Sequence, residues 1–337
     1  MARPANARAA CCTNPTRVRI GHSRGRPFAP ELNVLDVIVI GGGPAGLSAA
    51  LVLGRCRRRV MVCDAGQPRN ASAQALHGYL TRDGISPREL LRLGREELHP
   101  YGIELRNVSV TDVVPVADGF DVRLDTGERL VARSVLVATG VRDHIPDIPG
   151  LDECYGISVH HCPYCDGWEE RDRIVAVIGH GAGGAGLALS LKTWSDRVVL
   201  CTNGRPRVGS GHRAQLAAHG ITIVDRRIAQ VDHTDGRIRA LVMQRGEPVA
   251  CEAVFFSAGQ TQQSDLPKRL GCDITRGGTV KTNRLGQTCV PGLYVVGDAS
   301  RDVQFVIVAA AEGAKAAVAI NKALQASAGL AAAPAPS

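Results

Sequence analysis

The chain of 337 residues reads as an α/β protein made of two Rossmann-like three-layer ββα domains, the first interrupted by the second. Two glycine-rich loops predict this: Gly41-Gly42-Gly43-Pro44-Ala45-Gly46 and Gly179-His180-Gly181-Ala182-Gly183-Gly184. Each directly follows a short apolar, β-branched run. The third observation is the segment Cys162-Pro163-Tyr164-Cys165-Asp166, which lies between the loops. The expected organisation is a basic extension without fixed structure over 1–34, then a discontinuous first domain over 35–151 and 260–325. An inserted domain over 152–259 carries the two cysteines, and an unstructured tail covers 326–337.

The elements follow in order. Leu35–Ile40 is a buried parallel strand, the glycine loop opens a helix from about Pro44 to Gly54, and Val60–Cys63 is a second strand ending on Asp64. Leu90, Leu91, Leu93 and Leu98 lie at helical spacing within 71–104. Residues 108–138 alternate, with turns at Asp118-Gly119 and Asp125-Thr126-Gly127, and predict a small β-meander. Ser134–Ala138 returns to a buried strand closed by Thr139-Gly140, and Pro146, Pro149 and Gly150 mark a domain boundary. Arg173–Ile178, the second loop, a helix through about Trp194 and Val198–Cys201 repeat the pattern. Strands near Ile221–Val224, Ile238–Gln244 and Ala253–Ser257 complete the insert. Gly292–Val296, the pair Gly297-Asp298 and a helix to about Leu324 return to the first domain.

Composition excludes more than it assigns. No apolar run approaches the roughly 20 residues that span a bilayer. The net charge of +8 is concentrated in Arg3, Arg8, Arg17, Arg19, Arg24 and Arg26, in a stretch without acids. The rest is nearly balanced, so no folded basic face points to nucleic acid. Of eleven cysteines, only Cys162 and Cys165 have motif spacing. Cys63, Cys201 and Cys251 sit in apolar runs, where a thiol packs as a small hydrophobe, and the set fits a reducing cytoplasm.

The loops differ in content. Gly41, Gly43 and Gly46 fit G-x-G-x-x-G in the right strand–helix frame, and Asp64 stands where an acid bonds a ribose. Gly179, Gly181 and Gly184 fit the spacing, but the following strand ends in Cys201-Thr202-Asn203-Gly204 with no acid. Arg205 and Arg207 can meet a 2′-phosphate, so nucleotide binding and a Rossmann-like domain without it both stay open. For Cys162 and Cys165 the leading reading is a redox dithiol, with Asp166 moving protons and His160 and His161 raising thiolate character or acting as bases. A zinc site from His160, His161, Cys162 and Cys165, or two inert cysteines, are the alternatives. His77 and Trp168 read as packing residues.

In these motifs the chain resembles the low-molecular-weight thioredoxin reductase-like flavoproteins, from Leu35 to about Leu324. The resemblance rests on Val39–Leu47, Ala138-Thr139-Gly140, Ile148-Pro149-Gly150, Cys162–Gly167 and Val290–Asp298. It implies that the first domain binds FAD, with Gly41, Gly43, Pro44, Ala45, Gly46, Asp64, Thr139, Gly140, Gly297, Asp298 and Gln304 around it. It implies an exchange thiol at Cys162, a flavin-facing thiol at Cys165, an acid/base carboxylate at Asp166, and a homodimer. Three departures stand out. Ala185–Ala188 replaces a Glu-bearing stretch, Thr202-Asn203-Gly204 replaces the His-Arg-Arg cluster that holds the NADPH phosphate, and the dithiol is Cys-Pro-Tyr-Cys. Together they look like the branch of FAD-dependent dithiol oxidases that close disulfides in natural products such as gliotoxin, holomycin and romidepsin, often without NADP(H). The expected activity is oxidation of a small-molecule dithiol with O2 as acceptor. The rivals are an NADPH- or ferredoxin-dependent reductase acting on a thioredoxin-like protein, and a non-enzymatic redox sensor.

Overall fold

The computed structural model describes residues 34–257, 259–300 and 303–330. The basic extension and most of the tail expected from the sequence lie outside them. The described chain forms two compact units. One comprises the described residues up to Gln67, Leu93–Gly140 and the described residues from Gln262 on; the other comprises Pro68–Arg92 and the described residues of 141–261.

In the first unit, Leu35–Ile40 is the hub of a parallel sheet, with Val60–Cys63 on one side and Arg129–Val137 on the other. Glu104–Arg106 extends the sheet beyond Val60–Cys63. Strand Arg129–Val137 is long enough to serve two partners. Its first half pairs antiparallel with Gly119–Leu124, and its second half pairs parallel with Leu293–Val295. Alternation along the strands divides the faces. Ile38 and Ile40 pack with Val113, Phe120, Val122 and Leu124 of the antiparallel meander, while Val39 faces helix Pro44–Arg55. Helix Val306–Ser327 lies close against that helix: a Cβ on Gly313 would collide with the Ala45 carbonyl oxygen. This close crossing needs a residue without a side chain.

The second unit repeats the plan. Its all-parallel sheet runs in the order Thr222–Val224, Arg197–Cys201, Ile174–Ile178, Ala253–Phe256, Val159–His160. Val175, Val177 and Phe255 pack against helices Gly181–Leu191 and Ser210–Ala218 through Ala185, Ala188, Leu191 and Leu216. Ala176, Ile178, Val254 and Phe256 pack on the meander Ile228–Thr234, Arg237–Met243 and Val249–Ala250. Each sheet is thus buried on both faces, as a parallel sheet requires.

The joints differ from those expected at 151/152 and 259/260. The Pro146–Gly150 break does not separate domains: Ile148 and Leu151 are buried in the second core, and the Val231 N–H donates to the Pro149 carbonyl at 2.8 Å. The joint falls instead at Gly140–Val141, where Val141–Asp143 forms a short ribbon with Gln260–Gln262. Pro68–Arg92 also belongs to the inserted unit. Arg69 binds Asp143 there, and Gly156 at φ +82° lets the Ser72 backbone approach.

Candidate functional site

All residues expected around the first cofactor lie in the first unit, beyond the carboxyl ends of Leu35–Ile40, Val60–Cys63, Arg129–Val137 and Leu293–Val295. Gly41 has φ +108°, and its N–H donates to the Cys63 carbonyl at 2.8 Å. A Cβ there would lie 2.5 Å from the Ala138 carbonyl oxygen, and one on Gly46 would strike the Gly41 carbonyl. Gly43 is the exception: no protein atom lies within 4 Å of where its Cβ would sit. It caps helix Pro44–Arg55 without any side-chain hydrogen bond. With Pro44 lacking an N–H, the Ala45 and Gly46 amides are the first donors at that helix end.

Asp64 closes the cradle from the next strand. A Cβ on Gly42 would be 2.5 Å from its Oδ2. The carboxylate is already engaged: Arg95 Nη2 donates to Oδ2 at 2.7 Å, and the Gly66 N–H donates to Oδ1 at 3.2 Å. Thr139 follows the third strand, and its hydroxyl oxygen is buried with no protein partner. Gly297 has φ +70°, and its N–H donates to Glu312 Oε2 at 2.9 Å, fixing the short turn Gly297–Ala299 that carries Asp298. Gly140, also at φ +70°, accepts from the Gln263 N–H at 3.0 Å, and Gln304 sits just before the helix that starts at Val306. A glycine loop open at Gly43, helix-end amides, an acid and a buried unpartnered hydroxyl fit the pyrophosphate and ribose of an FAD.

In the second unit, Cys162 and Cys165 are joined as a disulfide. They stand at the carboxyl end of Val159–His160, on a single helical turn, Pro163–Asp166, that Cys162 caps. Gly167 seats this turn, since a Cβ there would lie 2.7 Å from the Trp194 ring. Beneath the turn, buried His160 places Nδ1 3.4 Å from Asp166 Oδ1 and Nε2 3.3 Å from Glu170 Oε1. Arg173 in turn donates to Glu170 Oε2 at 2.6 Å. Burial opposes charging of His160, but the hydrogen bonds and charges of Asp166 and Glu170 outweigh it and push its pKa up to about 9. His160 is therefore an imidazolium at neutral pH that anchors Asp166. It is not the base that the sequence allowed.

His161 behaves oppositely. Burial lowers its pKa, with the Arg69 charge adding to the effect against the pull of Asp143. Arg69, which can only donate, is 3.2 Å from Nε2, so Nδ1 carries the proton and donates to the Tyr155 hydroxyl at 2.9 Å. Tyr155 passes the chain on to Asp143 Oδ2 at 3.4 Å, and Arg69 closes it with two bonds to the same carboxylate. Burial resists ionisation of Asp143, but the Arg69 hydrogen bonds and charge, joined in acid by a protonated His161, prevail and hold its carboxyl below the usual range.

The second glycine loop keeps its shape, but its Gly181 amide is already engaged. The Gly179 N–H donates to the Cys201 carbonyl at 3.1 Å, and Gly184 packs against the Gly179 backbone, as in the first loop. Gly181, at φ +62°, donates its N–H to the Pro206 carbonyl at 2.9 Å. The segment that supplies this carbonyl is bent back through positive φ at Asn203 and Arg207, and the Asn203 side chain accepts from the Ile228 N–H at 2.9 Å. Arg205 and Arg207 are exposed on this turn, with no carboxylate at the strand end.

Sequence reasoning missed Arg95, Arg69, Asp143, Tyr155, Glu170 and Glu312. None lies in a motif; each reaches its partner through tertiary folding, and Arg69 and Asp143 are far apart in the chain. It also misread Trp168, which is 63% exposed rather than packed. Cys63, Cys201 and Cys251 are buried as expected, and burial pushes their thiols up to about 11, 12 and 12.

Comparison with known proteins places this architecture. The model of the pyridine nucleotide-disulphide oxidoreductase family matches residues 35–313. A probable thioredoxin reductase of Arthroderma benhamiae is 32% identical over 309 residues, covering 82% of this chain and 76% of its own. Thioredoxin reductase tcpT of Claviceps purpurea is 31% identical over 278 residues, covering 79% and 87%. Among solved structures, that of HlmI superposes with a TM-score of 0.84 at 37% identity, covering 91% of this chain and all of the other. The cradle, the disulfide and these matches lead to one statement: the chain belongs to the pyridine nucleotide-disulphide oxidoreductase family, as a thioredoxin reductase-like flavoprotein and thiol–disulfide oxidoreductase.

Proposed function

We propose that the protein oxidises a small-molecule dithiol to its disulfide, using Cys162–Cys165 and bound FAD with O2 as final acceptor. The observation that carries the reading is the asymmetry of the two glycine loops. The first is open at Gly43 with Asp64 beside it; the second has its Gly181 amide taken by Pro206 and no acid at its strand end.

A substrate thiolate attacks Sγ of Cys162, breaking the Cys162–Cys165 bond and releasing Cys165 as thiolate. The second substrate thiolate then attacks the substrate sulfur of the mixed disulfide, forming the product disulfide and freeing Cys162. Two electrons and two protons leave the substrate. The electrons enter the cysteine pair, and the Asp166 carboxylate, held in place by charged His160, takes and returns protons at the thiols. The Gly41–Gly46 cradle would hold FAD, which when bound would supply the two-electron acceptor chemistry that links the dithiol to O2. Thr139 and Asp298 would offer it polar groups, and Gly43 would leave room for its pyrophosphate.

The opposite direction, from NADPH to a thioredoxin-like protein, is favoured by the names of the relatives alone. An anaerobic experiment separates the two. Dithiothreitol is expected to bleach the flavin absorbance, with peroxide formed on admitting air, and NADPH to leave it unchanged. Rapid bleaching by NADPH would overturn the oxidase reading. Cys162→Ser and Cys165→Ser are each expected to abolish turnover while keeping the flavin.

A further inference from the structure

Both tryptophans of the chain stand at the dithiol turn, in a protein with only 4% aromatic residues. Trp194 is the floor: Gly167 packs on its ring, and Tyr164 meets it edge-on with centroids 5.5 Å apart. Tyr164, between the two cysteines, is 69% exposed, and Trp168, one turn beyond Cys165, is 63% exposed. Exposed rings of this size forgo burial free energy that a folded chain ordinarily gains. Trp168 is also held in place, because the Arg171 guanidinium stacks over its ring at 4.2 Å and donates to its carbonyl at 2.6 Å.

We infer that Tyr164 and Trp168 form a subsite that selects small dithiols bearing a planar apolar ring beside the thiols. This deepens the dithiol-oxidation reading and rests on it. Tyr164 lies between the two cysteines and Trp168 three residues beyond Cys165, so a thiolate that reaches Cys162 brings the rest of its molecule to the turn that bears these exposed rings. Their extent fixes the occupant's size. Among the described residues, the large apolar side chains exposed in this unit are Leu80, Tyr164 and Trp168. Even a transient redox partner spreads over up to about 600 Å² on each side around an apolar centre, whereas two rings match one small cyclic scaffold.

Two probes of equal ring-closing chemistry test this: dithiothreitol, and 1,2-bis(mercaptomethyl)benzene, which also closes a six-membered disulfide but carries a benzene ring. Trp168→Ala is expected to raise KM about three- to tenfold for the benzene probe alone, the scale of one aromatic contact. Its kcat, and turnover of dithiothreitol, should stay unchanged, and Trp168→Phe should restore most of the loss. The cyclic disulfide of the benzene probe should quench tryptophan emission in the wild type and not in Trp168→Phe, a readout that needs no turnover. Equal losses for both probes, no loss for either, or unaltered quenching in Trp168→Phe would overturn the subsite. So would a matching loss with reduced thioredoxin as substrate, which would make the rings a protein-docking surface. A wild type that turns over neither probe but is quenched through Trp168 would instead refute the oxidase reading and keep the subsite.

Discussion

Gly43 and Gly46 are three residues apart in one loop, yet substitution should fail for different reasons. Alanine at Gly46 strikes the Gly41 carbonyl, so Gly46→Ala is expected to destabilise the apoprotein and lose FAD together. Alanine at Gly43 meets no protein atom, so Gly43→Ala should fold with an unchanged melting temperature and still bind FAD about tenfold more weakly. Titration of apoprotein with FAD beside calorimetry separates the two outcomes. His160 gives a pH signature. Its folded pKa, about 9, lies above its ordinary value, so charging it stabilises the fold fully below about pH 6.5. That contribution, on the order of 3 kcal/mol, is lost as pH rises through 9. Denaturation midpoints at pH 6 and pH 9.5 should differ by more in the wild type than in His160→Asn.

Among the elements, the crossing of Pro44–Arg55 and Val306–Ser327 carries the cofactor end of the first unit, because both helices start beside the cradle. Gly313→Ala would force them apart at Ala45 and is expected to cost about 1–3 kcal/mol, read as a lower urea midpoint with reduced FAD content. The longer parallel strands and the glycine-loop helices were legible because each is a short β-branched run or an unbroken turn-to-helix pattern, whereas the short parallel strands Glu104–Arg106 and Val159–His160 carry no such run. Two longer elements were also missed. Strand Ile228–Thr234 carries bulges after Ile228 and after Asp232, so its buried residues, Ile228 and Val231, break the alternation that identifies a strand. Helix Ser210–Ala218 buries Leu216 alone and so presents no apolar stripe.

At the scale of the whole molecule, the two units are expected to answer ligands differently. Hydrogen exchange with FAD added is expected to protect amides at Ala45, Gly46 and Thr139 in the first unit. NADPH should leave exchange at 181–186 unchanged, because Pro206 already engages Gly181. Protection there on adding NADPH would count against the asymmetry. No helix among the described residues is long and apolar enough to cross a membrane.

The sequence alone determined the repeated strand–glycine–helix plan, the residues of the first cradle and the redox pair. Those features depend on local rules: φ beyond the reach of a side chain, burial of β-branched runs, and thiols at fixed spacing. The tertiary structure alone decided which groups carry charge beside the disulfide. His160 and His161 are neighbours in the chain, yet one faces two carboxylates and is charged, while the other faces an arginine and a tyrosine and is neutral. Likewise, spacing could not distinguish an open glycine loop from one engaged by its own chain. That difference rests on where a carbonyl from a later turn comes to lie, and only packing sets that position.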